Sequence, residues 1–189
     1  MNKNLESYIA YLPSFFDKKF CNKTIKELKK EKWFTHQFYD PNKKVKFSPS
    51  GDKELEVSNA DNLSTKKEIN NKLLKAIRAY LELNNFSWYN DFNGYTSVRF
   101  NRYKKNTTMK EHCDHIQSMF DGERKGIPTL SIIGCLNENY EGGELIFFQD
   151  KIIKMEMGSL LIFPSNFLFP HKINLIKKGT RYSFVSWVW

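Results

Sequence analysis

The chain has 189 residues, of which 40% are hydrophobic and 15% aromatic, so it can bury a core of its own. No apolar run is long enough to span a membrane, and the first seven residues lack the apolar centre of a signal peptide. The formal net charge of +9 comes from scattered basic residues rather than an arginine-rich helix, so nucleic acid is allowed as a partner but is not indicated.

The three cysteines, Cys21, Cys113 and Cys135, are odd in number and widely spaced. This pattern argues against a disulfide framework and is typical of a reduced, cytoplasmic setting. The sequence gives no indication of the oligomeric state.

The N-terminal part begins with an apolar segment, Ile9–Phe16, that we expect to be extended. Asp17 is a predicted N-cap for a helix that ends near Trp33, because apolar residues recur there at helical spacing. A strand is predicted over residues 35–39. Residues 40–61 are polar and contain Pro and Gly, which predicts a long loop or loose hairpin. Such a loop is either a lid over an active site or a plain surface loop.

The strongest helix signal covers Thr65 to about Leu83. Thr65 and Glu68 have the spacing of a capping box, and an apolar stripe follows them. Asn84 and Asn85 are expected to end this helix. Its predicted role is structural, as cover for one sheet.

After Gly94 the pattern changes to short segments rich in β-branched and aromatic residues. Many short strands after a helical part favour an α+β, mainly β fold: a jelly roll or β-sandwich backed by helices. We predict one domain over 1–189, with 1–94 as mainly helical support and lid loop and 95–189 as the β-barrel core. Strands are predicted near 95–103, 109–114, 129–136, 143–148, 151–155, 159–163, 170–174 and 180–188.

His112 and Asp114 are two residues apart, so on a strand both side chains lie on one face. His171, far downstream, can complete a set of two histidines and one carboxylate, which is the ligand set of non-haem Fe(II) oxygenases. His115 is expected on the opposite face, outside the metal shell. Zinc also accepts these ligands, so a metal-dependent hydrolase or a binding module stays open at this point.

Arg181 lies ten residues after His171. A planar guanidinium can bind a carboxylate with two parallel hydrogen bonds. If Arg181 points inward it needs an anion, because a buried unpaired charge is costly. Ser183 is on the same face of the predicted strand and can add a hydroxyl donor.

An ordered set of motifs extends from Ser97 to the C-terminus and resembles the 2-oxoglutarate/Fe(II)-dependent dioxygenases of the prolyl-4-hydroxylase-like group. The resemblance implies a double-stranded β-helix of the jelly-roll or cupin-like type. It implies Fe(II), 2-oxoglutarate and O2, and it allows ascorbate as an accessory cofactor. The motifs are Glu111–His115, Leu130–Asn137, Tyr140–Leu145, Gly158–Ser165, His171 and Gly179–Ser183.

The same resemblance implies a role for each candidate residue. Asp114, where related halogenases have a small residue, favours hydroxylation. Ser131, Ile133 and Cys135 alternate along one predicted strand, so we expect them to line the pocket. Trp187 matches a Trp near the active site of prolyl 4-hydroxylases, with core packing as its alternative. The implied metal ligands are His112, Asp114 and His171; Arg181, Tyr103 and Ser183 would bind 2-oxoglutarate, and Trp187 the substrate.

The predicted function is hydroxylation of a substrate C–H, with release of succinate and CO2. A prolyl residue in a peptide or protein is the first choice of substrate, by analogy. Within the enzyme class, the alternatives are a free amino acid, a small metabolite and a nucleobase. From a different class, the alternative is a non-catalytic metal-binding barrel that acts as a binding module.

Overall fold

A computed structural model describes residues 4–40, 45–47, 53–86, 89, 92–114 and 127–189. Within them the fold is mostly β-structure, with antiparallel strand pairs and two α-helices, α1 (Lys18–Leu28) and α2 (Lys66–Asn84). A 3-10 helix spans Leu5–Tyr8. The strands are β1 (Ala10–Leu12), β2 (Phe34–Thr35), β3 (Phe38–Asp40), β4 (Val45–Phe47), β5 (Glu56–Ser58), β6 (Arg99–Tyr103), β7 (Met109–His112), β8 (Leu130–Cys135), β9 (Glu141–Gly142), β10 (Leu145–Phe147), β11 (Lys151–Ile153), β12 (Leu160–Pro164), β13 (His171–Ile173), β14 (Ile176–Lys178) and β15 (Arg181–Val188).

Helix α1 begins where the sequence predicted. The Asp17 carboxylate accepts a hydrogen bond of 2.7 Å from the Phe20 N–H, which confirms the N-cap. The helix ends at Leu28, earlier than predicted. Trp33 lies beyond this end, where its indole N–H donates to the carbonyl of Leu28. Its apolar spacing therefore reflects a side chain that folds back onto the helix end.

Helix α2 is confirmed, but its predicted capping box is wrong. Thr65 has helical backbone angles and makes no capping hydrogen bond. Its hydroxyl instead accepts a hydrogen bond of 3.0 Å from the Thr24 hydroxyl, so it joins the two helices. At the other end Asn85 adopts the left-handed conformation, with φ 46°, and its N–H bonds to Leu81.

Two sheets dominate the described residues. The seven-stranded sheet has the order β1-β12-β8-β15-β6-β5-β2, and the four-stranded sheet has the order β11-β10-β13-β7. Side chains alternate between the two faces of the seven-stranded sheet along β12. Leu160 and Ile162 pack in a core with the helices, whereas Leu161 and Phe163 pack in a second core. The seven-stranded sheet is therefore buried on both faces.

The second core lies between the two sheets. Phe147 of the four-stranded sheet packs edge-on against Phe163 of the seven-stranded sheet, with ring centroids 4.8 Å apart. Phe163 in turn contacts the ring of His171 at 5.0 Å. His171, a candidate site residue, thus packs against a row of aromatic rings between the two sheets.

The predicted loop 40–61 contains more structure than expected. Strands β3 and β4 pair as a hairpin, and β5 joins the seven-stranded sheet beside β6. Residues 41–44 and 48–52 lie outside the described residues, so the lid stays a prediction. Of the helices that the structure describes, none is long and apolar enough to cross a membrane.

Gly134 offers a test of this packing. A Cβ atom at Gly134 would lie 2.0 Å from the Phe184 ring, which fills the space above the strand. We expect Gly134→Ala to lower the free energy of unfolding by about 1–3 kcal/mol through overpacking, measured by urea denaturation. At Gly94, the control position, an added Cβ would lie 3.2 Å from a Trp189 side-chain atom. An equal loss in Gly94→Ala would contradict the explanation.

Candidate functional site

Two strands of the four-stranded sheet and the segment after one of them bring His112, Asp114 and His171 together. His112 on β7 is directly opposite His171 on β13, and the two ring centroids are 4.4 Å apart. One Asp114 carboxylate oxygen lies 3.4 Å from His112 Nε2 and 3.9 Å from His171 Nε2. One potential ligand atom from each of the three residues lies within 4.8 Å of the others.

Asp114 does not reach this position as a strand residue. Strand β7 ends at His112, and Asp114 lies in a bend two residues further. The same-face argument for a strand therefore holds only up to His112. The bend still directs the carboxylate towards the histidines. His115, predicted to point away from the metal, lies outside the described residues.

Backbone hydrogen bonds fix both imidazole rings. His112 Nδ1 is 2.7 Å from the carbonyl of Lys110, and His171 Nδ1 is 3.1 Å from the carbonyl of Phe169. A carbonyl only accepts, so each Nδ1 carries the proton and donates. Each Nε2 then presents its lone pair to the space that Asp114 faces, as a metal ligand must.

The electrostatics favour the ligand forms of Asp114 and His171, whereas at His112 burial lowers the pKa but the hydrogen bond and charge of Asp114 outweigh burial and raise it. Burial raises the pKa of the Asp114 carboxyl, but His171 and His112 outweigh burial and hold the pKa well below its usual range. Burial lowers the pKa of His171 to about 4, even though Asp114 raises it. At neutral pH the site therefore offers a carboxylate and a neutral imidazole, as a divalent cation requires.

Among the residues that the structure describes, Arg181 is the largest fully buried side chain, with 1% of its surface exposed. It begins β15 opposite Tyr103, and its guanidinium carbon is 5.0 Å from the Tyr103 ring centroid. Its Nη1 donates to the Ser183 hydroxyl at 3.2 Å. Nε and Nη2 are buried and find no well-aligned acceptor among the described residues, although the Tyr140 and Tyr103 hydroxyls lie close enough to interact with the guanidinium. The guanidinium thus lacks hydrogen-bond acceptors of the kind that a bound anion would supply.

The remaining predicted residues lie on the inner face, which is the face of the seven-stranded sheet that is turned towards the core between the two sheets. Ser183 is opposite Cys135 on β8, and Trp187 is opposite Ser131. The Asp114 carboxylate has a side-chain hydrogen bond with Ser131 that lowers its pKa. The predicted pocket-lining strand β8 therefore joins the metal triad to the strand that carries Arg181.

Sequence reasoning missed Tyr140. Burial raises the pKa of Tyr140, and the same residue raises the pKa of Arg181 against the effect of burial. The Glu141-Gly142-Gly143 turn brings Tyr140 there, since both glycines have positive φ. A Cβ at Gly143 would also lie 3.5 Å from Arg181 Cδ. This turn thus packs beside Arg181.

Arg99 and His36 were missed as well. Arg99 is four residues before Tyr103 on β6, an even offset that places both on one face and that could have revealed it. His36, from the segment between β2 and β3, is buried 3.7 Å from Glu54. No motif pointed to His36, because its position depends on the pairing of β2 with β5.

Comparison with known proteins places this geometry in a family context. The sequence model of the 2OG-Fe(II) oxygenase superfamily matches residues 98–189. A PKHD-type hydroxylase from Crocosphaera subtropica is 35% identical over 97 residues, which are 49% of this chain and 42% of that protein. One from Idiomarina loihiensis is 30% identical over 94 residues, 48% of this chain and 41% of that protein. The chain thus spans less than half the length of these curated relatives.

Solved structures are similar over nearly the whole chain. A Trichoplax adhaerens prolyl hydroxylase, in complex with a hypoxia inducible factor peptide fragment, has a TM-score of 0.68 at 15% identity and covers 96% of this chain and 83% of that one. A Pseudomonas putida prolyl-4-hydroxylase also gives 0.68, at 14% identity, covering 96% and 91%. A viral collagen prolyl hydroxylase from Paramecium Bursaria Chlorella virus-1, in its 2OG complex, gives 0.64 at 18% identity, covering 96% and 94%. At these identities the similarity shows the fold.

The triad can be tested by metal binding. Asp114→Asn keeps the size of the side chain but removes the anionic ligand, so we expect Mn(II) affinity to fall at least tenfold, measured by calorimetry. Glu111→Gln is the control, because Glu111 is an exposed acid on the same strand. Equal Mn(II) affinity of the Asp114 variant and the native protein would contradict the assignment.

His36 predicts acid sensitivity of the metal-free protein. Burial, followed by the charge of Arg99, lowers the pKa of His36 to about 4. Between pH 6.5 and 4 the unfolded chain binds this proton and the folded chain does not, so stability falls as the pH falls. By pH 4.5 the loss should reach about 2–3 kcal/mol.

His36→Gln should lack this part of the loss. The check is urea unfolding of both proteins at pH 7.5 and 4.5. Parallel pH profiles would contradict the prediction, and the slope between pH 7 and 8, where neither state titrates at residue 36, serves as the internal control.

Proposed function

We propose that this chain, whose residues 98–189 match the sequence model of the 2OG-Fe(II) oxygenase superfamily, is a 2-oxoglutarate- and Fe(II)-dependent hydroxylase. The observation that carries the proposal is the pairing of two features on one inner surface. One is the His112, Asp114 and His171 triad, and the other is the buried Arg181 guanidinium with two unpaired donor nitrogens. A metal site alone fits many functions, whereas a metal site with a second, buried cation fits an anionic co-substrate.

In this proposal the triad holds the iron from one side. Both histidines offer Nε2, and their Nδ1–H groups keep the rings oriented through the carbonyls of Lys110 and Phe169. Two histidines and one carboxylate would hold Fe(II) while leaving room on it for further ligands. When bound, the iron supplies the redox chemistry in which 2-oxoglutarate gives succinate and CO2 and the substrate C–H becomes C–OH.

Arg181 binds the distal carboxylate of 2-oxoglutarate in this proposal. Its Nε and Nη2 supply the two parallel donors that a carboxylate accepts. Ser183 holds Nη1 from the side, and the Tyr103 ring packs against the guanidinium. Because all three are buried, water is excluded from the ion pair, and the co-substrate is fixed in one orientation.

The surrounding fold supports the same proposal. The seven- and four-stranded antiparallel sheets pack face to face around the core that contains Phe147 and Phe163. We interpret these two sheets as the halves of a double-stranded β-helix, with the triad at one end. The single-domain division into a supporting N-terminal part and a barrel from residue 95 also remains our proposal.

For the substrate we propose a peptidyl proline. Three similar solved structures are prolyl hydroxylases by name, and one of them is in complex with a peptide fragment. A peptide or protein is therefore the proposed partner. Free amino acids, small metabolites and nucleobases are the competing substrates, and a succinate-release screen with Fe(II), 2-oxoglutarate and representatives of each class would rank them.

The co-substrate site gives a direct test. Arg181→Gln removes the cation but keeps a polar side chain, so we expect the Kd of 2-oxoglutarate to rise at least tenfold, because hydrogen bonds to a charged group contribute about 1.5–3 kcal/mol. The measurement is titration of the Zn(II)-loaded protein with 2-oxoglutarate.

Lys178→Gln is the control for Arg181→Gln. Lys178 is three residues earlier and pairs with the exposed Glu141 at 3.0 Å. Unchanged 2-oxoglutarate binding in Arg181→Gln, or an equal loss in Lys178→Gln, would refute the role of Arg181. The absence of Fe(II)-dependent succinate release with every substrate class would refute the enzymatic function.

A further inference from the structure

A second arginine, Arg99, lies on the inner face of β6. It is at the opposite end of that face from Arg181, which lies on the neighbouring strand β15. Arg181 is paired with Tyr103, whereas Arg99 is four residues further along β6 and is paired with Val185. At 3.3–3.4 Å per strand residue, these two pairs are about 13 Å apart along the sheet. A five-carbon dicarboxylate held at Arg181 is too short to reach Arg99 as well.

The Arg99 guanidinium has an unusual environment. Its carbon lies 5.0 Å from the centroid of the Trp187 ring, so the cation stacks on an aromatic face. Its Nε is buried and has no hydrogen-bond partner in the part of the chain that the structure describes. The residue as a whole is only half-buried.

The charges near Arg99 do not neutralise it. Burial lowers the pKa of Arg99, and Tyr103 and Asp114 only partly offset burial. Tyr103 is neutral at pH 7, and Asp114 belongs to the metal triad. Burial lowers the pKa of His36, and the positive charge of Arg99 lowers it further. A cation is therefore kept beside the metal triad without an anion of its own.

We propose that Arg99, stacked on Trp187, binds a carboxylate of the substrate, so that the enzyme acts on an acidic molecule. This inference rests on the proposed function and narrows its substrate class. The carboxylate belongs either to a free amino acid or to an acidic side chain in a peptide. In both cases it fixes the substrate at the end of the inner face where Trp187 and the triad lie, away from Arg181.

The stacked arrangement favours a carboxylate. Stacking on Trp187 covers one face of the planar guanidinium and leaves its edge for ligand contact. An edge with two parallel N–H groups matches the two oxygens of a carboxylate. Trp187, which the family resemblance connected with substrate, then serves both to orient Arg99 and to line the pocket.

The experiment uses matched acids and amides as probes. Protein loaded with Zn(II) and 2-oxoglutarate is titrated with N-acetylproline and its amide, and with acetyl-Pro-Asp-amide and acetyl-Pro-Asn-amide. The first pair tests a free carboxylate, and the second tests an acidic side chain. We expect the native protein to prefer the acid at least tenfold in one pair, because a hydrogen bond to a charged group is worth more than a factor of ten.

Arg99→Gln should reduce this acid preference to about one. Arg102→Gln is the control: Arg102 is on the opposite face of β6, where it pairs with Glu56 at 2.7 Å, and its variant should keep the preference. Arg99→Met retains an apolar stem and gives a second variant. Neither Arg99 variant should melt at a lower temperature than the native protein, since an unpaired buried cation costs stability. A large loss of stability in both would indicate a structural role and overturn the proposal.

Other outcomes are equally decisive. Equal affinity for acid and amide in both pairs overturns the proposal, as does a preference that survives Arg99→Gln. Arg99-dependent binding of a single-stranded oligonucleotide more tightly than either acid would replace the carboxylate with a phosphate. If the native protein does not bind 2-oxoglutarate through Arg181, both the proposed function and this inference are contradicted. Intact 2-oxoglutarate binding with no acid preference contradicts only the inference.

Discussion

The register of the last strand, β15, is the constraint on which the rest of the site depends. Its pairing with β6 on one side and β8 on the other places Arg181 beside Tyr103, and Ser183 between Asn101 and Cys135. A shift of one residue would turn every one of these side chains to the helix-facing core. Phe184 and Gly134 prevent that shift, because the aromatic ring occupies the space that a Cβ at Gly134 would need.

The two cores differ in composition and in role. Helices α1 and α2 cover the outer face of the seven-stranded sheet, and this core is almost entirely apolar. The inner core combines apolar residues with Arg181, His171 and Asp114, all at most 9% exposed. Burial of charged and titratable groups costs free energy, so the inner face is tolerable only because the outer core and the sheet hydrogen bonds stabilise the fold independently.

The charged groups of the inner face lie at its two ends. Arg181 is at one end, and Arg99, stacked on Trp187, is at the other end, where Ser131 on β8 also contacts Asp114 of the triad. Two cations about 13 Å apart along the strand pairs would hold two anionic ligands at separate positions, so that the ligands could not exchange places. Orientation of co-substrate and substrate would then follow from charge as well as shape.

The sequence by itself determined the main elements and the candidate ligands. The Asp17 cap, helix α2 and the short strands after Gly94 were visible as local patterns, and the ordered set of motifs pointed to His112, Asp114, His171 and Arg181. Local patterns follow from periodicity and from capping chemistry, which depend on near neighbours only. The Thr65 capping box failed because a tertiary contact with Thr24 took the hydroxyl. Strand pairing sets the positions of Tyr140 and His36 and leaves Arg99 Nε without a hydrogen-bond partner among the described residues. Only the tertiary structure decides which strands pair.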